Sequence, residues 1–213
     1  MEVGDKVYIG RYEQDKYLPN IKEPIDWRVL EIEDDTALLL SERILDCGPY
    51  NEAYTGVTWE SCSMRAWLNT AFYQTAFDAE EQAKILAATV VNDDNPVWAT
   101  KGGNTTEDKV FLLSFNEVMT RAYGFSSNYY AYDSRRMAQG TDYAITRGLW
   151  VCENDEHAGN GNWWLRSPGG SQNHARTVGY DGYVRSACNA DNASVGIRPA
   201  IRMRVGRARN GWG

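Results

Sequence analysis

The residues of this chain best suited to chemistry lie between Asn173 and Asn192, and the chemistry is recognition. Asn173, His174, Tyr180, Asp181, Tyr183, Ser186, Asn189, Asp191 and Asn192 all fall in this short window. Tyrosine offers rigid contact area, while Ser, Asn and Gly offer adaptable hydrogen bonds, as in antibody paratopes. These nine are the candidate ligand-binding residues, within a binding region of about 171–196. No catalytic residue is assigned. The two histidines, His157 and His174, sit in polar loop sequence without an H-E-x-x-H motif, and no serine occupies a G-x-S-x-G elbow. His157 reads as a solvated loop histidine, whereas for His174 a contact role and a solvated one are equally open.

Other clusters carry less. Asn92-Asp93-Asp94-Asn95 presents the hard oxygens that calcium takes, but it lacks EF-hand spacing and a distal glutamate, so it reads as a turn. Gly169-Gly170-Ser171 lacks the Lys-Ser/Thr that completes a phosphate loop. Cys47, Cys62, Cys152 and Cys188 are scattered, which fits neither a zinc site nor a disulfide-dense scaffold. Reduced thiols are the simpler reading, and one bridge stays open. No metal and no cofactor is expected.

Two strand-like bookends must position the window. Trp163-Trp164-Leu165-Arg166-Ser167-Pro168 precedes it, and Gly196-Ile197-Arg198-Pro199-Ala200-Ile201 closes it. Trp163 and Trp164 point to opposite faces of a strand. One belongs to the core; the other either floors a binding surface or packs under a second layer. Arg166 and Arg198 stand in apolar surroundings, where arginine is costly unless paired. Structural pairing is the first reading and anion binding the alternative.

The rest of the chain supplies the scaffold. Val7-Tyr8-Ile9 is a short strand, and Trp27–Ile32 and Thr36–Leu40 form a hairpin about Glu33-Asp34-Asp35. Met64, Trp67, Leu68, Ala71 and Phe72 give the segment Ser63–Phe72 a helical apolar stripe. A capping box, Asp78 with Glu81, opens a second helix with Ile85, Leu86 and Ala88 on its apolar side. Val90-Val91 and Val110–Leu113 read as strands, Ser114 with Glu117 as another capping box, and Tyr143–Leu149 as a short helix. Tyr123–Tyr132 is rich in Tyr, Ser and Asn without a period. Trp27, Trp67, Leu68, Leu112 and Leu165 are the expected core. The 213 residues thus form one α+β domain, 1–213, with mixed or antiparallel sheets and two main helices.

A net charge of −7 argues against a general nucleic-acid binder. Arg202, Arg204, Arg207 and Arg209 are a local exception, read as a solvated strand face and a frayed end. Charged residues follow Met1 almost at once, so neither a signal peptide nor a membrane span is expected. That leads to a cytoplasmic or virion-associated protein with no membrane insertion.

Trp27-Arg28-Val29-Leu30, Thr58-Trp59 with Arg65-Ala66-Trp67-Leu68-Asn69, Val110–Ser114, Trp163–Gly169 and Gly196–Ala200 occur in this order over nearly the whole chain. Together they resemble an uncharacterised bacterial domain family with a WLRSPG…VRPA signature. That family is similar to the C-type-lectin-like superfamily, with formylglycine-generating enzymes and the variable proteins of diversity-generating retroelements. The resemblance implies a C-type-lectin-like fold. Formylglycine-generating enzymes hold copper on a close cysteine pair in the C-terminal region, where this chain has only Cys188, with Cys152 next nearest. Sulfoxide-forming relatives use a histidine-rich iron triad, which two isolated histidines do not supply. The enzymatic branch is therefore disfavoured.

Retroelement variable proteins diversify at the adenines of AAY codons, which cannot yield Lys, Glu, Gln, Met or Trp. From Asn173 through Ala200 none of the five occurs, and Gln172 lies just outside. The resemblance thus implies a non-enzymatic, receptor-like protein whose C-terminal segment varies on a rigid scaffold, with a protein or glycan as ligand. A fixed-specificity adhesion or glycan-binding module of the same fold is the alternative, and an oxidase-like enzyme using Cys188 is a third.

Overall fold

Three strands paired in sequence order open the chain: β1 (Lys6–Glu13), β2 (Lys22–Glu33) and β3 (Thr36–Ser41). The expected hairpin between the last two forms because Asp34 takes the left-handed conformation, at φ 53°, which a short aspartate tolerates. Ile25, Trp27 and Val29 alternate inward along β2, and Ala37 to Ser41 of β3 are buried throughout, as befits a strand covered on both faces. A computed structural model describes residues 1–18 and 20–206.

After the short β4 (Asp46–Cys47) comes a helical run longer than the expected Ser63–Phe72. It comprises α1 (Ser63–Trp67), a π turn over Leu68–Phe72 and α2 (Tyr73–Ala76). Asn69 accounts for the docking of the wide turn. Its amide donates to the carbonyls of Arg65 and Val110, and its Oδ1 accepts from the Lys109 and Val110 amides. Leu68 is fully buried, while Trp67 only packs on the core's edge.

The second helix, α3 (Ala79–Lys84), carries the expected capping box, with Asp78 and Glu81 serving each other's amides. It is shorter than its apolar stripe implied. Ile85 turns extended and bridges Met203, and Ala88 falls in β5 (Ala88–Val90), so both are buried as extended chain. The domain is mostly sheet with a few short helices. β6 (Thr106–Asp108) pairs with β5, and β7 (Val110–Phe111) leads into buried Leu112 and Leu113. Ser114 and Glu117 form the second capping box, opening a single tight turn. α4 (Asp142–Thr146) stops before the expected Leu149.

β8 (Trp163–Pro168), β9 (His174–Val178), β10 (Val184–Asn189), β11 (Gly196–Ile197) and β12 (Ala200–Arg204) complete two five-stranded sheets. One runs β1-β2-β3-β12-β7, all antiparallel; the other runs β10-β9-β8-β11-β4, with one parallel pair, β11 to β8. Both Trp163 and Trp164 are fully buried, so neither floors a surface. Their indoles donate to the carbonyls of Arg136 and Gly48 respectively.

Arg198 and Arg166 have the structural role favoured from sequence. Arg198 donates to the carbonyls of Ser41, Arg136 and Glu42, with its guanidinium 5.0 Å from the Trp163 ring centre. Burial, with Arg28 nearby, lowers its pKa to about 9. Arg166 binds Glu117 and the carbonyls of Leu112 and Val91. Arg202 is paired with Glu31 rather than simply solvated, and Arg207 and Arg209 lie outside the described residues. All four cysteines are unbridged.

Candidate functional site

The β9–β10 hairpin is where the sequence placed its binding surface, and it is more deeply built in than expected. Ala175, Arg176, Thr177 and Val178 of β9 are all buried, because β9 lies between β8 and β10 and loops cover it. A surface-displayed loop is thus replaced by an interior strand with β10 at the sheet edge.

Both neighbours of β9 are out of register at one point. Trp164 pairs with Thr177 and Pro168 with Ala175, so three residues of β8 stand opposite Arg176. On the other side Arg185 pairs with Thr177 and Cys188 with Ala175, so Ser186 and Ala187 share the same partner. Bulges bend a strand and free its backbone groups. The freed Arg166 amide donates to the Leu113 carbonyl at 3.0 Å, and Ser167 Oγ accepts from the Phe115 amide at 2.8 Å. These bonds dock Phe115 so that its ring centre lies 4.0 Å from the Arg176 guanidinium.

Two loops build walls around this point. Asn95 fixes the first: its amide donates to the carbonyls of Pro168 and Gly169, and its Oδ1 accepts from the amides of Val97 and Trp98. Thr100 Oγ1 also donates to Gly169. The Asn92–Asn95 cluster is irregular backbone rather than the turn itself, which follows at residues 96–98, and its last residue, Asn95, presents Val97 and Trp98. Buried Arg136 organises the second wall by donating to the carbonyls of Ser126, Asn128, Val118 and Gly182. Asp133 caps the same loop through the amides of Ser126 and Arg135. The loop carries Tyr129, which stacks edge-on against Phe115 and whose carbonyl accepts from the Val184 amide of β10.

The result is an open groove of about 640 Å³. Phe115, Met119 and Tyr129 form one side and Ser186 to Cys188 the other, with Arg176 between them and Trp98 and Tyr130 at the mouth. Trp98 is 51 % exposed, Val97 62 % and Tyr130 68 %. Burial pushes the Cys188 thiol up to about 11, against a weak hydrogen bond from Asn192, so the thiol is not an activated nucleophile.

The nine sequence-derived residues are not brought together. Only Ser186 lines the groove. Asn173 and His174 sit at one end of the hairpin, both engaged by the Ser171 hydroxyl. Tyr180, Asp181 and Tyr183 form the opposite turn, where Tyr180 packs on Trp150 and His157 and Asp181 pairs with Arg185. Asn189, the last residue of β10, and Asp191 and Asn192 beyond it are exposed. At about 3.3 Å per residue, a strand the length of β10 keeps the two ends roughly 20 Å apart. A small ligand cannot touch both.

Sequence reasoning missed Trp98, Phe115, Tyr129, Tyr130 and Arg176. The one available signal was the aperiodic, tyrosine-rich stretch Tyr123–Tyr132. Among the described residues no cluster of three or more His, Cys, Asp and Glu could hold a metal ion, and no helix is long and apolar enough to cross a membrane.

Residues 34–205 match the model of a family described as a domain of unknown function, DUF6273. No curated protein and no solved structure matches the chain.

Proposed function

The chain belongs to the DUF6273 family, and we propose that it is a non-enzymatic ligand-binding protein that takes its ligand in the groove between Trp98, Tyr130 and β10. One observation carries this reading. A concavity of drug-sized volume is rimmed by large apolar side chains left in water, above a floor with few polar groups. Exposed aromatics at a formed concavity are the usual mark of a binding site. The raised Cys188 thiol at the groove wall supports binding over nucleophilic chemistry.

The sequence resemblance extends the reading to a receptor-like protein on a C-type-lectin-like scaffold. Edge position makes β10 a wall that tolerates change: Arg185, Ala187 and Asn189 are exposed while Val184 alone is buried along it. Retroelement diversification at the exposed positions within residues 173–200 would then alter one wall and both hairpin ends while leaving the packed tryptophans untouched.

The direct test is a combined glycan and peptide array probed with the wild-type chain and with a Trp98→Ala, Tyr130→Ala double variant. Ligands captured by the wild type should be lost by the variant, with its melting temperature unchanged. Equal capture by both would remove the groove from consideration. The flanking DNA tests the diversification: a near-copy of codons 173–200 differing at adenines, beside a reverse transcriptase gene, is expected. Its absence would return the reading to a fixed-specificity adhesion module.

A further inference from the structure

Five arginines lie at or near the buried end of the groove's scaffold, and four of them are engaged. Arg136 and Arg198 donate to backbone carbonyls, Arg166 holds Glu117 and two carbonyls through its terminal nitrogens although its Nε is enclosed without a partner, and Arg185 holds Asp181 through two short bonds. Arg176 is different. It is 3 % exposed, and among the described residues it makes no ion pair and no side-chain hydrogen bond. Its Nε is fully enclosed without a partner. Its guanidinium lies over the face of Phe115, 4.0 Å from the ring centre.

A buried guanidinium with idle donors is costly, since each polar group withdrawn from water must find a replacement partner. The cation–π contact recovers part of that cost and leaves the edge of the guanidinium free. Among the described residues no neighbouring carboxylate takes up the role. Asp93 and Asp94 border a smaller cavity that Arg176 also lines, but Asp93 is engaged by Asn116, and Asp94 by Lys101 and the Gly102 amide. The ionisable groups acting on the guanidinium are the Tyr129 and Tyr130 phenols, and burial lowers its pKa against their pull. Ordinary arginine pKa values are so high that the group stays charged at neutral pH.

We propose that Arg176 receives the carboxylate of a monoanionic ligand whose aromatic or aliphatic body fills the groove under Trp98. This rests on the groove being the binding site and adds the ligand's chemical class. The guanidinium edge suits a planar two-oxygen acceptor. The groove lining supplies no second unengaged cation, so a phosphate dianion would leave charge uncompensated whereas a carboxylate would not. The source is either a free aromatic or fatty acid, or the C-terminal carboxylate of a peptide.

The test titrates the full chain calorimetrically with four probes: indole-3-acetate, indole-3-acetamide, and a tripeptide ending in tryptophan with its carboxyl free or amidated. At least one acid should bind about tenfold or more tighter than its amide, and the Arg176 Nε–H resonance should shift with it. Arg176→Gln should bring that acid down to the amide's affinity, while Trp98→Ala should weaken both. The pair that shows the preference identifies the source. Equal affinities of acid and amide in the wild type, or a preference surviving in Arg176→Gln, would overturn the assignment of Arg176 and leave the groove standing. Failure of all four probes to bind would overturn both. Should Arg176→Gln not fold, the wild-type acid-to-amide ratio and the Nε–H shift still decide.

Discussion

Asn95→Ala tests whether the groove's Trp98 wall is built or incidental. The Asn95 side chain is 3 % exposed and makes four hydrogen bonds, at 3.0 and 2.9 Å to the carbonyls of Pro168 and Gly169, and 2.9 and 3.3 Å from the amides of Val97 and Trp98. At a net value of about 1 kcal/mol each, their loss would cost about 4 kcal/mol if nothing replaced them. Replacement is uneven. The Val97 and Trp98 amides sit on an exposed loop and regain water, and Gly169 keeps Thr100 as a donor at 2.6 Å. The Pro168 carbonyl, on a buried residue, is the group left wanting.

The expected cost is therefore about 2 kcal/mol, with a ceiling at the free energy that holds the loop down, because a freed loop has nothing further to lose. For a domain of this size that corresponds to a fall of roughly 4–8 °C in melting temperature. Urea denaturation gives the energy, and native-state hydrogen exchange at the Val97 and Trp98 amides shows where it is lost. A loss under about 0.5 kcal/mol with protection at both amides unchanged would refute the argument that Asn95 positions this wall.

Other perturbations probe other parts of the same frame. Gly182 sits at φ +81°, and a Cβ there would lie 2.3 Å from the Asp133 carbonyl oxygen. Gly182→Ala should cost at least about 2 kcal/mol and loosen the Tyr129 loop, read by denaturation and by exchange at Val184. Burial pushes the Cys62 thiol up to about 12 and the Cys47 thiol up to about 11. Folded-state values above the ordinary 9.0 mean stability is full below that pH and falls as pH rises toward 11–12. Urea midpoints between pH 8 and 10.5 should therefore drop, and Cys62→Ala should flatten the slope; parallel profiles would contradict this. Burial opposes ionisation of Asp181, but Arg185 and the Tyr183 amide outweigh it and hold the carboxyl below its ordinary 3.8. Its contribution is present above that pH and lost as pH falls through the lower folded value. Asp181→Asn should therefore cost no more than about 1 kcal/mol at neutral pH, since Arg185 is 42 % exposed, and nothing in strong acid.

Local rules were written legibly into this chain. Asp34 and its neighbours turn a hairpin, Asp78 with Glu81 and Ser114 with Glu117 cap helical turns, and the Met64-to-Phe72 stripe makes a helix, because each depends on residues a few positions apart. The pairing of Arg166 and Arg198 was legible for a related reason: a cation inside an apolar run must find partners wherever the chain goes. Where periodicity was followed beyond its local cause it misled, as at Ile85, whose apolar side chain is buried through a bridge to Met203 rather than on a helix face.

The candidate site was legible only at Ser186 and in the tyrosine-rich stretch Tyr123–Tyr132, and the tertiary structure decided the rest. Its walls come from Trp98, Phe115, Tyr129 and Ser186, none of which belongs to a motif, and they meet because bulges opposite Arg176 redirect β8 toward Leu113 and Phe115. The window from Asn173 to Asn192 has the composition of a recognition loop, yet composition does not say which strand is covered. β9 is interior because the loops fixed by Asn95 and Arg136 close over it. Sequence fixes what Arg176 can donate; whether its donors are satisfied depends on atoms brought close by residues tens of positions away, and proximity of that kind exists only once the chain has folded.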